Sequence, residues 1–235
     1  MGRRRNLRNM RRLSHDLKKI TAQAFLSWAF DSYDGKVALT SSFGGQSATL
    51  IHLANTVNPK VPVYFIDTGF HFPETYDFVN QLTERFNLNL KVFRPTDEEL
   101  EQARERLAKG FPGQCCDISK VRCMERALDG LECWIAGVRR RQAISRYNAR
   151  IIEEYENNIV KVHPIAYWSH KDVEAYMAEN DLPHHPLWEK GYTSIGCAPC
   201  TRRPILGQGL RSGRWAGLTK TECGLHTFMK KTGMA

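Results

Sequence analysis

The chain has no run approaching the roughly 20 apolar residues that a bilayer crossing requires, so a membrane-spanning protein is not expected. Its first thirty residues contain no apolar signal core, and its seven cysteines are odd in number and unevenly spaced. Both features argue against secretion and a disulfide framework, and the expected location is cytoplasmic. There is no internal repeat, and no low-complexity stretch beyond a basic N-terminal arm. Acidic residues are scarce in one place: residues 1 to 19 hold one of the 25 Asp and Glu but eight of the 34 Lys and Arg. The other 216 residues carry 26 basic and 24 acidic side chains, so most of the net +9 belongs to the arm. An extended nucleic-acid footprint is therefore not expected, and the arm reads as a solvated, flexible segment. What is present, 235 residues with 42% hydrophobic and 25% charged, suffices for one large domain with its own core.

Short apolar runs rich in β-branched and aromatic residues recur along residues 20 to 182, the expected nucleotide-binding α/β domain. Val37-Ala-Leu-Thr40, Val61-Pro-Val-Tyr-Phe-Ile66, Leu88-Asn-Leu-Lys-Val-Phe93 and Cys133-Trp-Ile-Ala136 read as strands. Segments near 47 to 57, 74 to 86 and 97 to 109 carry helical spacing, with Pro73-Glu74 and the capping box Thr96-Asp-Glu-Glu99 as start signals. This alternation predicts a mostly parallel twisted sheet flanked by helices, with ligand at the carboxyl ends of its strands. The loop Ser41-Ser-Phe-Gly-Gly-Gln-Ser47 after the first strand and Asp67-Thr-Gly69 after the second become candidate binding loops. Glycines there permit close backbone approach, and helix N-terminal N–H groups can hold an anionic oxygen. From 183 to 235 the pattern dissolves into an irregular segment of turns, cysteines and basic residues that cannot form a core alone.

Four cysteines form two pairs, adjacent Cys115-Cys116 and Cys197-Ala-Pro-Cys200. Paired thiols in a reducing compartment suggest a metal centre, either iron–sulfur or zinc. An adjacent pair is awkward for one tetrahedral ion, whereas neighbouring irons of a cluster can take one thiolate each. A redox dithiol at Cys197 would need a strand before it and a helix after it, and Thr201-Arg-Arg-Pro204 does not provide one. Cys123 and Cys133 read as small buried hydrophobes. Cys223 stands apart in Thr221-Glu-Cys-Gly-Leu-His226, with a histidine three residues on and Gly224 as a hinge. By itself it reads as incidental.

Taken together these motifs make the chain resemble the assimilatory phosphosulfate reductases, more closely their iron–sulfur branch. The resemblance spans roughly residues 20 to 230. It rests on the two cysteine pairs and on Glu222-Cys-Gly-Leu-His226, supported by the Ser42–Ser47 loop, Asp67-Thr-Gly, Phe72-Pro-Glu-Thr-Tyr76 and Gly137-Val-Arg-Arg-Arg-Gln142. It implies an adenine nucleotide alpha-hydrolase-like fold. It also implies that Cys223 attacks the sulfur of adenosine 5'-phosphosulfate (APS), AMP leaves, and thioredoxin or glutaredoxin releases sulfite from the S-sulfocysteine. A [4Fe–4S] cluster is implied on Cys115, Cys116, Cys197 and Cys200, acting through its charge and not by cycling electrons. His226 is implied as a catalytic partner beside Cys223. Substrate contacts are implied at Ser42, Phe43, Gly44, Gly45, Ser47, Ile66, Asp67, Thr68, Gly69 and Gly137, with cations from Lys120, Arg146, Arg211 and Arg214. Thiolate attack on an anion needs such cations, because two like charges at 4 Å repel by about 4 kcal/mol at an effective dielectric near 20.

Ser119 stands where the family often has Arg, and Ala143 where it often has Ser. No thioredoxin-like domain is evident, so the reductant is expected to be a separate protein, and assembly with further copies of the chain is left open. The 3'-phosphorylated nucleotide PAPS, alone or beside APS, is the alternative substrate. A pyrophosphate-loop tRNA thiolation ATPase shares the architecture, but its Ser-Gly-Gly-x-Asp-Ser loop has an acidic residue that Phe43-Gly-Gly-Gln-Ser47 lacks. The tail holding Cys223, poor in apolar anchors, is expected to close over nucleotide and open to the reductant.

Overall fold

The computed structural model describes residues 21–205, 207–218, 220–229 and 231–232, so the basic arm of residues 1–19 lies outside the described residues. Thr21 Oγ1 accepts from the Ala24 N–H at 3.3 Å and starts α1, Ala22–Ser32. The alternation read from the sequence then follows as β1 (Val37–Ser41), α2 (Ser47–Val57), β2 (Pro62–Ile66), α3 (Pro73–Phe86), β3 (Asn89–Phe93) and α4 (Asp97–Ala108). Pro73 sits in the first turn of α3, where a missing N–H costs nothing. The capping box of α4 forms in both directions, Glu99 N–H to Thr96 Oγ1 at 3.2 Å and Thr96 N–H to Glu99 Oε2 at 3.0 Å. Next come α5 (Pro112–Cys116), a π-helical turn over Asp117–Val121, α6 (Arg122–Leu128) and β4 (Cys133–Ala136). After them lie β5 (Ile152–Glu154), β6 (Val160–Val162) and α7 (His170–Glu179).

The strands order as β3-β2-β1-β4-β6-β5, and every neighbouring pair is parallel except β5 with β6. The antiparallel edge departs from a wholly parallel sheet. β5 and β6 are three-residue strands joined through Asn157 and Asn158, which take the left-handed backbone that Asn tolerates (φ 64° and 60°). Period-two alternation divides the core. Val37, Leu39, Cys133 and Ile135 face the helices α1, α2, α3 and α7, while Ala38, Trp134 and Ala136 face α6. Among the described residues no helix is long and apolar enough to cross a membrane.

β1 has β2 on one side and β4 on the other, so successive crossovers leave it in opposite directions and open a crevice at the carboxyl ends of β1 and β4. The segment from 183 lies across this end of the sheet. A Cβ on Gly45 would touch Trp188 at 3.3 Å, one on Gly44 would touch the Ile195 carbonyl at 3.3 Å, and the Ala198 N–H donates to the Phe70 carbonyl at 2.7 Å.

The final stretch is docked more firmly than its composition suggests. Leu225, Phe228 and Met229 pack on the Trp134 side of the sheet, Lys231 pairs with Glu153 at 2.6 Å, and the Thr232 N–H donates to the Glu154 carbonyl at 2.9 Å. The tail therefore has apolar anchors, and they follow Cys223 in sequence.

The Phe43 ring is fully buried, edge-on to Phe65 at 5.3 Å, on a backbone with φ 46°, so of this loop residue only the main chain is left toward the crevice. Phe43→Ala is expected to cost about 3–5 kcal/mol through the cavity it leaves, read as a lower urea midpoint at unchanged m-value.

Candidate active site

The loop after β1 is tied by its own hydroxyls. Ser41 Oγ accepts from the Phe43 N–H at 3.0 Å and Ser47 Oγ donates to the Gly44 carbonyl at 2.7 Å. No side chain caps α2; the Ser47 N–H donates to the Gly44 carbonyl at 3.0 Å and the Thr49 N–H to the Gln46 carbonyl at 3.3 Å, which winds the loop directly into the helix. Gln46 instead spans the loop, donating to Glu174 Oε1 and accepting from the buried Arg139. Ser42 and Gly137 are exposed at the mouth, whereas Ile66 is buried. Asp67 is also buried, and it is fully engaged by the Gly69 N–H (3.1 Å), Tyr76 OH (2.7 Å) and Arg94 Nε (2.8 Å). Burial pushes its carboxyl up, but these donors outweigh it and keep the group ionised. Its role is to hold the loop on which Thr68 sits.

Thr68 Oγ1 lies 3.2 Å from Cys197 Sγ, bringing the second cysteine pair onto the end of β2. The first pair ends α5, and the π-helical turn after it widens the helix so that Lys120 follows Cys115 and Cys116 into the same space. Lys120 is 6% exposed among the thiols of Cys197, Cys223 and Cys116, whose negative charge outweighs its desolvation and holds it firmly protonated. Cys115 is pushed up to about 11, chiefly by burial. Ser119 donates its hydroxyl to the Cys115 carbonyl at 2.8 Å, pinning the turn at a position where the family often has Arg. Arg214 lies over Gly196, where any Cβ would overlap its guanidinium, and its Nε is buried without a hydrogen-bond partner.

The four paired thiols are free, with Cys115, Cys116 and Cys197 buried and Cys200 half-buried. Among the described residues they do not draw together closely enough to hold a single metal ion. Their chemistry, four soft sulfur donors beside the buried Lys120 and the half-buried Arg214, cations that offset thiolate charge, fits an iron–sulfur cluster.

Cys223 lines a cavity of about 530 Å³ together with Phe111, Pro112, Gln114 and Lys220. Burial alone would raise its pKa, but Lys120, the Leu225 N–H and Arg214 outweigh it and bring the thiol below its ordinary range. Gly224 turns the chain with φ 89° against Val121, a conformation in which a side chain would be strained.

Arg146 and Arg211 converge on Glu222 in this conformation. The carboxylate takes Arg146 Nε and Nη2 at 2.8 Å each, Ser145 Oγ at 2.9 Å and Arg211 Nη2 at 3.3 Å. His226 departs from the expectation that it flanks the nucleophile. Its ring stacks on Trp134 (centroids 5.7 Å apart) and meets Lys161 Nζ at 3.1 Å, and burial followed by Lys161 keeps it neutral. These contacts anchor the tail on the sheet.

The sequence reading missed Lys161, Ser145 and His71. Lys161 is 1% exposed, with Nζ 3.6 Å from the Trp134 ring centroid and burial driving its pKa well down, and its one signal was a lysine between two valines of a buried strand. His71 Nε2 donates to the Ile66 carbonyl at 3.1 Å, leaving Nδ1 buried without a partner, and burial takes its pKa down to about 4.

A half-buried thiol under the charge of Lys120 and Arg214, beside four further thiols at the switch point of a doubly wound sheet, is the arrangement of an α/β enzyme site. Residues 36–203 match the phosphoadenosine phosphosulfate reductase domain. The chain is 40% identical over 210 residues to adenosine 5'-phosphosulfate reductase 1 of Bacillus subtilis, covering 87% of this chain and 90% of that one. It is 42% identical over 221 residues to phosphoadenosine 5'-phosphosulfate reductase of Alkalilimnicola ehrlichii, covering 91% and 89%. The structure resembles that of the phosphoadenylyl-sulfate reductase from Candida auris, with TM-score 0.69, 27% identity, and coverage of 80% of this chain and 93% of that one. Yeast FAD synthetase shares the fold alone, at TM-score 0.55 and 17% identity. The chain belongs to the phosphoadenosine phosphosulfate reductase family, and it is an oxidoreductase of sulfate assimilation.

Because thiolate is the species that alkylates, a lowered pKa moves reactivity to lower pH. Iodoacetamide labelling of Cys223 against pH is expected to reach its midpoint below that of a free thiol, and Lys120→Met is expected to shift the midpoint upward. An unmoved midpoint would show that Lys120 does not govern the thiol.

Proposed function

We propose that the protein reduces APS to sulfite and AMP through Cys223. The observation that carries this reading is the placement of the Cys223 sulfur beside Lys120 and Arg214, next to two cysteine pairs. The thiolate attacks the sulfonate sulfur, an S–S bond forms, and the S–O bond to phosphate breaks with its electron pair leaving on AMP. A dithiol protein, thioredoxin or glutaredoxin by resemblance, then attacks Cys223 Sγ. Sulfite leaves with the S–S electron pair, Cys223 returns as thiolate, and the partner closes its own disulfide.

Lys120 and Arg214 offset the repulsion between thiolate and sulfonate, and they are preorganised because neither is paired with a carboxylate among the described residues. The glycines of the loop before α2 let the main chain approach the nucleotide closely. Cys115, Cys116, Cys197 and Cys200 would hold a [4Fe–4S] cluster, which when bound supplies fixed local charge. Thr68 and Ser119 position those cysteines. PAPS is the second reading, favoured by the name of the Alkalilimnicola relative.

Incubating the cluster-loaded protein with APS and no reductant is expected to add one sulfonate to the intact mass, and Cys223→Ser is expected to abolish the gain. Cys197→Ser is expected to remove iron and its visible absorption. A mass gain that persists in Cys223→Ser would refute the assignment, and kcat/KM on APS and PAPS ranks the two substrates.

A further inference from the structure

The two cysteine pairs are far apart in sequence, and the loop after β2 touches both. Thr68 Oγ1 accepts from the Phe70 N–H at 3.2 Å, which leaves its hydroxyl hydrogen for Cys197 Sγ, also 3.2 Å away. The Phe70 carbonyl accepts from the Ala198 N–H at 2.7 Å, so the main chain of the second pair is held beside its first thiol. The Phe70 ring packs with Ala103, Cys115 and Ile118, on the side of the first pair. One residue of this loop therefore contacts both pairs, the second through its carbonyl and the first through its ring.

The loop keeps this shape through Asp67. Two side-chain turns follow one another in it, with the Gly69 N–H on Asp67 Oδ1 and the Phe70 N–H on Thr68 Oγ1. Gly69 has φ 74°, and Leu100 of α4 lies 2.8 Å from where its Cβ would stand, so the loop lies close on α4. The same carboxylate takes the Tyr76 hydroxyl and, on its second oxygen, Arg94 Nε. Three donors fill most of the acceptor capacity of a carboxylate that is 4% exposed, and little of it is left for a nucleotide. Arg94 follows β3 with its side chain 68% exposed. Its carbonyl accepts from Arg126 Nη2 at 3.0 Å, and Arg126 pairs at 2.9 Å with Glu99 of the α4 capping box. Direct contacts thus lead from the surface at Arg94 through Asp67 and Thr68 to the thiol of Cys197.

Resting on the reading of the paired cysteines as one cluster site, we propose that Asp67, Arg94 and Phe70 are positioning residues of that site. Arg94 fixes the Asp67 carboxylate, Asp67 fixes the turn that aims Thr68, and Phe70 joins one cysteine pair to the other. The resemblance gives Asp67 to the nucleotide, whereas its three donors give it to the cysteines. Residues that orient metal ligands act on how firmly the metal is kept, so retention of the cluster and affinity for nucleotide respond to different residues of one loop.

The test uses the full chain loaded with iron and sulfide, in wild type, Asp67→Asn, Arg94→Gln, Phe70→Ala and Phe70→Leu. Iron release to a chelator is followed by loss of visible absorption, AMP affinity is measured by calorimetry, and the urea midpoint reports the fold. Asp67→Asn keeps an acceptor for Tyr76 and Gly69 but loses the charge that Arg94 meets. It is expected to release iron about tenfold faster, the low end of what outer contacts of metal ligands contribute, and to bind AMP within about twofold of wild type. Arg94→Gln is expected to speed release by a smaller factor at an unchanged urea midpoint. Adding it to Asp67→Asn should change nothing further, because the two act as one unit. Phe70→Ala should also release iron faster, and Phe70→Leu should recover much of the retention. Wild-type release by Asp67→Asn and Phe70→Ala overturns the proposal. Weaker AMP binding by Asp67→Asn with release unchanged overturns it too, and returns Asp67 to the nucleotide. If Asp67→Asn does not fold, Arg94→Gln decides, and wild-type release by that variant refutes the proposal. If the wild type retains no iron, the cluster reading falls and this inference with it. If the wild type holds iron but leaves APS unchanged, the phosphosulfate reading falls, while faster release by the variants still supports the roles of these residues.

Discussion

The site is built on a balance of buried charge. Thiols that are to ionise out of water need compensating cations close by, and Lys120 and Arg214 meet that need from two distant parts of the chain. Lys120 arrives on the π-helical turn behind the adjacent cysteines, and Arg214 arrives by lying across Gly196, where the absence of a Cβ gives it room. The surrounding arrangement follows from these two placements. Cys197 must approach the end of β2, where Thr68 meets it, and the tail must pass close enough for Cys223 to share the same cations.

A second balance holds the tail. Downstream of Cys223 the anchoring combines packing on one face of the sheet, with His226 stacked on Trp134 and Lys161 Nζ over the same indole, with the Lys231–Glu153 pair at 2.6 Å. Upstream it is ionic, through Glu222 on Arg146 and Arg211. Gly224 lies between the two. The nucleophile is thus held from both sides of a glycine turn.

Much of the fold could be read from local pattern. The four strands and three helices named from apolar spacing occur within a residue or two of their expected ends, because period and capping are properties of neighbouring residues. The β5–β6 hairpin escaped because its buried positions include Glu153 and Lys161, so its polarity hid its burial. Those two residues are satisfied by Tyr155, close to Glu153 in sequence, and by tertiary partners, Lys231 and His226. The burial of Phe43 could not be read from its loop position: the left-handed turn places its ring against Phe65.

By itself the sequence determined the βα alternation, the positions of the binding loops and the two cysteine pairs with a third thiol near the end. All are local spacings, and local spacings survive in one dimension. Only the tertiary structure decided which cations face Cys223, that Arg146 and Arg211 meet on Glu222, and that His226 turns to Trp134. Those contacts join side chains 76 positions apart in the case of Arg146 and Glu222, and 65 in the case of Lys161 and His226. At such separations no periodicity links the partners, and packing on the sheet alone brings them together.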